Sequence, residues 1–166
     1  MKITKAILDD LTTKAKASPR RRMNMDLRNG IDDQSQRMLN AIEPDSVVPI
    51  HRHQKTSETV VCLRGRVVEE YYDEQERICT ETIELTPNGL TVALNIPPGQ
   101  WHTIRSLESG SVILEVKDGK FEPLSDVDIL QKYEGKGMME DVLCKKRSIS
   151  THPKRGYPFT FLISSS

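Results

Sequence analysis

HRHQKTSETVVCLRG (residues 51–65) and GLTVALNIPPGQWHTIRS (residues 89–106) carry three of the four histidines in the 166-residue chain: His51, His53 and His102. Side chains on a strand alternate between faces, so the spacing of His51-Arg52-His53 puts two imidazoles on one side, which is half of a metal site. Glu58 lies an odd number of positions from both. It shares their face only if Gln54 to Ser57 form a loop into the next strand. His102 follows the Pro97-Pro98-Gly99 turn and Trp101, at the start of another expected strand. Two hairpins can therefore converge three imidazoles and one carboxylate from separate strands. His152, in a basic and Pro-flanked tail, reads as an ordinary surface residue.

Outward from these segments the chain is a succession of short runs rich in Val, Ile, Thr, Tyr and Leu. Turn clusters interrupt them at Arg28-Asn29-Gly30, Thr86-Pro87-Asn88-Gly89 and Glu108-Ser109-Gly110. Strands are expected near 23–28, 37–43, 47–53, 58–64, 67–73, 77–85, 91–96, 101–107 and 111–117, the texture of a β-sandwich or barrel. Arg64-Gly65-Arg66 reads as a tight hairpin with Gly65 at positive φ, and Pro98-Gly99 suits the centre of a type II turn. Ile3, Ile7, Leu8, Leu11 and Ala15 recur at helical spacing, which predicts one amphipathic helix over residues 4–16 with Thr4 as N-cap. Residues 125–130 could start a second, short helix, and the basic stretch beyond Lys145 has no clear period.

The two quoted segments resemble the paired motifs of the cupins. The first matches His-x-His, four residues, Glu, six residues, Gly without a gap. The second matches Pro-x-Gly-x-x-His at Pro97, Gly99 and His102. It departs from the family in two places: seven rather than five residues separate Gly89 from Pro97, and Ser106 stands where an Asn is usual. Over residues 18–124 the chain is also similar to the WbuC-type cupin metalloproteins, which are often associated with bacterial polysaccharide biosynthesis. The resemblance implies a mainly β chain, a single cupin jelly-roll β-barrel with a short N-terminal helix and a C-terminal extension. The expected boundaries are 1–22 for helix and basic arm, 23–124 for the barrel, and 125–166 for an extension that packs on the barrel or on a partner subunit. It also implies one divalent transition metal ion in the interior, held by His51, His53, Glu58 and His102, with Glu58 either ligating or hydrogen-bonding a ligand.

Arg37 and Asn40 fall in the segment the resemblance covers, just before the histidine strand, and are the substrate-binding candidates. Their opposite parity lets only one line a pocket unless a bulge intervenes. Tyr71 and Tyr72 read as ordinary inward and outward residues, Cys62 as a buried thiol, and Trp101 as facing away from His102. No side chain is singled out as the catalytic acid or base.

Lys plus Arg number 24, as do Asp plus Glu, which removes a global electrostatic case for nucleic acid; aromatics at 5% leave no stacking platform for single strands. Charge is uneven, +5 over residues 1–22 and +4 over residues 141–166, which leaves −9 for residues 23–140. This pattern reads as basic ends lying on an acidic body. No 18-residue apolar run occurs, and Asp9 and Asp10 interrupt the N-terminus where a secretory signal keeps its apolar stretch. Three cysteines, Cys62, Cys79 and Cys144, at wide spacing argue for a reducing compartment, so a cytoplasmic protein without a membrane partner is expected. The helix stripe and the apolar Phe159, Phe161, Leu162 and Ile163 point to a homodimer.

Three imidazoles and a carboxylate suit Fe, Mn, Ni, Co or Zn alike. Three readings of function stand: a metal-dependent isomerase, epimerase or lyase acting on a small oxygen-rich ligand such as a sugar derivative, an iron-dependent dioxygenase, or a non-catalytic sugar- or metal-binding cupin.

Overall fold

The structure is a computed structural model that describes residues 1–75 and 78–130. Within them lie one α-helix, α1 (Lys5–Ala17), and ten strands. These are β1 (Arg22–Asp26), β2 (Ser35–Ile42), β3 (Ile50–His51), β4 (Glu58–Arg64), β5 (Val67–Tyr72), β6 (Cys79–Leu85), β7 (Ala93–Ile96), β8 (Trp101–Ser106), β9 (Ser111–Asp118) and β10 (Ile129–Leu130). The short helix expected at 125–130 is a single 3-10 turn, Asp126–Asp128, which leads directly into β10.

The strands form two five-stranded sheets in the orders β1-β2-β9-β4-β7 and β10-β3-β8-β5-β6. Every pairing is antiparallel. From β2 to β5 the chain changes sheet at each step, and it does so again from β6 through to β9. That alternation is the double Greek key of a jelly roll, the architecture of cupins. It corrects two local expectations. Arg64-Gly65-Arg66 is not a hairpin, because β4 and β5 belong to different sheets and the segment is a corner between them. Likewise β3–β4 and β7–β8, the two motif segments, are crossings from one sheet to the other.

Alternation along each strand produces two cores. Ile42, Val60, Cys62, Val67, Leu85, Ile96, Ile104 and Ile113 pack between the sheets. The neighbouring positions of β2 and β9, Leu39, Ala41 and Val112, point the opposite way and meet Leu11 and Ala15 of α1. The helix therefore spends its apolar stripe within the molecule, covering the outer face of the first sheet, and the stripe is not free for a partner subunit. Burying Leu11 there contributes on the order of 2 kcal/mol. Arg64 fastens the arrangement: its Nη2 donates to Leu8 O and Thr12 Oγ1, both at 2.9 Å, and its Nη1 lies 2.6 Å from Asp9 Oδ1. Thr4 occupies the N-cap position with extended backbone but makes no side-chain capping bond, while Lys14 and Lys16 in the last turn complement the helix dipole.

Among the described residues no helix is long and apolar enough to cross a membrane. Cys62 carries a free, buried thiol. Cys144, His152 and the apolar segment 159–163 lie outside the described residues.

Candidate metal centre

The crossings explain how residues of mismatched parity meet. β3 is two residues long, and His51 pairs with His102 across the β3–β8 ladder, so both imidazoles rise from the second sheet. His53 lies just beyond the end of β3. The segment after it carries the chain to the first sheet, where Glu58 opens β4 and faces the histidines from the opposite wall. Parity along one strand, which set Glu58 against the histidines, does not apply across this gap. The two motifs are tied by the Gly99 N–H, which donates to His53 O at 2.8 Å, and Gly99 takes φ +79° as the turn requires.

His51, His53, Glu58 and His102 each offer one donor atom, and the four atoms lie within 4.8 Å of one another. Donors about 2.1 Å from one ion are at most about 4.2 Å apart, so closure by about half an ångström seats an ion. The ring centroid of His51 is 4.4 Å from that of His102 and 5.2 Å from that of His53. Glu58 Oε2 is 3.0 Å from His53 Nε2 and 3.6 Å from His102 Nε2.

Tautomers are set by the backbone. Pro49 O lies 3.0 Å from His51 Nδ1, and Gln100 O lies 2.8 Å from His102 Nδ1. Carbonyls only accept, so both Nδ1 atoms donate and both Nε2 atoms present lone pairs. The Nε2 of His102 is buried without a hydrogen-bond partner, an orphan that a metal would satisfy. Burial, followed by the neighbouring His102, pushes the His51 imidazole down to about 4, which keeps it in the neutral, ligating form. Burial alone would raise Glu58, but the neighbouring His102 and His53 imidazoles and the Lys117 ammonium hold it well below the usual carboxylate range. Three imidazoles and one carboxylate form a donor set that fits a divalent transition metal.

Beside the cluster, between the sheets, is a cavity of about 220 Å³. His51, Glu58 and His102 line it together with Asn40, Glu69, Glu115 and Arg22, and Ile42, Val60, Ile104 and Ile113 supply apolar wall. Lys117 Nζ lies 3.4 Å from Glu58 Oε2 and 3.3 Å from His53 Nε2, and it also pairs with Glu115. Asn40 Nδ2 donates to Glu115 Oε2 at 2.6 Å. Burial, then the charge of Glu58, pushes the Glu115 carboxyl up to about 7.

Of the two substrate-binding candidates, only Asn40 faces the cavity. Arg37 belongs to the outward set with Leu39 and Ala41 and pairs with Asp33 at 2.6 Å. Tyr72 donates to Glu70 Oε2 at 2.8 Å, whereas Tyr71 packs against the inner core. Trp101 is buried beneath the Arg52 guanidinium, 4.4 Å from the ring centroid, away from the cavity. Glu69, Glu115 and Lys117 are not among the sequence-level candidates. Their signal is parity: Glu69 shares the face of the inward Val67 and Tyr71, and Glu115 and Lys117 share that of the inward Ile113.

The family model described as Domain of unknown function (DUF6016) matches residues 3–85. No curated protein matches the chain. Among solved structures, TT1209 from Thermus thermophilus is similar over 72% of this chain and 98% of its own, at 21% identity and a TM-score of 0.52. BH2720 from Bacillus halodurans is similar over 74% of this chain and 85% of its own, at 18% identity and a TM-score of 0.52. CapF, in a crystal structure with the inhibitor 3-isopropenyl-tropolone, is similar over 64% of this chain at 22% identity and a TM-score of 0.50, although the match spans only 30% of CapF. At these identities the likeness is one of fold.

Proposed function

The chain belongs to the family described as Domain of unknown function (DUF6016), and from that premise we propose that it is a metal-binding cupin whose ion, held by His51, His53, Glu58 and His102, addresses a small oxygen-rich ligand in the adjoining cavity. The observation that carries the reading is the buried, unpartnered Nε2 of His102 beside donors already oriented by backbone carbonyls. When bound, a divalent ion supplies Lewis-acid polarisation of a ligand carbonyl or hydroxyl. The chain's own residues supply the rest. Asn40 orients Glu115, the apolar wall limits water, and the cavity volume suits one small molecule rather than a polymer. Arg22 at the lining favours an acidic group on the ligand. Carboxyl groups beside the donors favour acid–base chemistry of the isomerase, epimerase or lyase kind over binding alone. A carbohydrate or carbohydrate-derived acid, and with it a place in polysaccharide biosynthesis, follows from the likeness to WbuC-type cupins.

A calorimetric and thermal-shift screen of sugars, sugar phosphates, nucleotide sugars and uronic acids tests this. At least one such ligand should raise the melting temperature of the native protein by a few degrees and leave a His51→Ala variant unmoved. Binding of aromatic or thiol ligands alone, or equal sugar binding by both proteins, contradicts the reading. Oxygen consumption by an iron-loaded sample would instead favour the dioxygenase.

The reading includes a cytoplasmic homodimer, supported by the free thiol of Cys62 and by exposed Leu90 and Val92 just before β7, the edge strand of the first sheet. Light scattering at micromolar concentration should give twice the chain mass of 18.9 kDa. A monomeric mass rules the dimer out.

A further inference from the structure

We propose that Glu69 is a ligand-contact residue of the cavity, its carboxyl holding one oxygen of the molecule whose other oxygens meet the metal. This rests on the reading of the cavity as the ligand site of a metal-binding cupin and adds the residue that selects the ligand. Glu69 is 1% exposed, its Oε1 is buried without a hydrogen-bond partner, and its side chain lines the cavity. Leaving such a group unsatisfied destabilises the fold, and a leucine of similar volume would avoid that cost.

The sheet register places the carboxyl at a useful reach. On the β5–β8 ladder Tyr71 pairs with His102 and Glu69 with Ile104, so Glu69 is the diagonal neighbour of His102 on the inward face. Diagonal neighbours lie roughly 7–8 Å apart, their Cβ atoms somewhat less. That gap is the span of a small polyol or hydroxy acid with one end at the metal donors. Burial, then the charges of Glu58, Glu115 and Glu70, pushes the Glu69 carboxyl well above its ordinary range, which favours the protonated form with its O–H donor and carbonyl acceptor. A hydroxyl beside a carbonyl or carboxylate has the complementary pattern. A purely apolar ligand leaves the group orphaned and is rejected.

The test compares the metal-loaded full chain with Glu69→Leu and Glu69→Gln, using glucuronate and galacturonate as calorimetric probes. Glu69→Leu should raise the melting temperature of the ligand-free protein by about 2–5 °C, keep the native metal-to-protein ratio, and weaken uronate binding at least about tenfold. Glu69→Gln, which retains a donor and an acceptor, should fall between the two. A lower melting temperature for Glu69→Leu would mark a structural carboxyl and overturn the proposal, as would native affinity for uronate in both variants. If neither probe binds the native chain, the direction of the melting shift decides alone. Failure of the underlying metal reading is seen separately, as a native protein that takes up no metal.

Discussion

The His51→Ala/His102→Ala double variant is expected to lose stoichiometric metal while keeping its jelly roll. These two imidazoles are the ones whose Nδ1 atoms are pinned by Pro49 O and Gln100 O, so they lose little freedom on ligation, and they pair directly across the β3–β8 ladder. His53, beyond the end of β3, and Glu58 remain. One imidazole and one carboxylate are half a coordination set and hold a divalent ion far more weakly. Elemental analysis should show the ratio falling from about one ion per chain to near zero. Far-ultraviolet circular dichroism should be unchanged, because the cores around Ile113 and Leu11 do not use the metal. That separates this protein from a zinc finger, whose fold goes with its ion.

Gly65→Ala is expected to destabilise the chain by about 3–4 kcal/mol, a large effect for one methyl group. Gly65 sits at φ +79°, where a Cβ costs about 1 kcal/mol. That Cβ would also stand 2.3 Å from Ser111 Oγ and 2.8 Å from Ser111 Cα. The hydroxyl cannot simply rotate away, since it accepts from Arg66 N at 3.2 Å and donates to Glu108 O at 2.7 Å, and the Cα is backbone of β9. Overpacking of that kind adds about 2–3 kcal/mol. Gly99→Ala is the control: its φ is also +79° but nothing lies within 4 Å, so about 1 kcal/mol is expected. Urea denaturation of the two variants measures the difference, and equal midpoints would show that the Ser111 contact does not matter.

The sequence conveys the site better than the path that builds it. The cluster of His51, His53, Glu58 and His102 is legible because these residue types stand at a spacing that suits metal ligation, and Pro98-Gly99 announces the turn that delivers His102. The route is hidden because alternation reports which residues share a face of one strand and not which sheet that strand joins. Hence the corner at Gly65 reads as a hairpin, and Glu58 has the wrong parity until its strand lies on the opposite wall. That the outward-facing apolar residues of β2 and β9 lie under α1 is hidden as well, since sequence spacing does not say which face a helix covers. Arg37 and Asn40 are distinguishable in kind but not in direction: parity divides them, and only the register of β2 against β9 decides which one points inward. Glu69 is hidden for a different reason. A carboxylate in VVEEYY normally faces water, and only the covering sheet turns it into a buried acid.

X-ray absorption at the edge of the bound metal, on protein purified without chelator or metal-affinity resin, probes whether these donors share one ion. About one divalent transition metal ion per chain is expected, with imidazole scattering from three ligands and at least one oxygen, and the imidazole signal should vanish in the His51→Ala/His102→Ala protein. A purified chain without metal that takes none up from solution, or an ion with an unchanged imidazole signal in the double variant, would contradict the assignment.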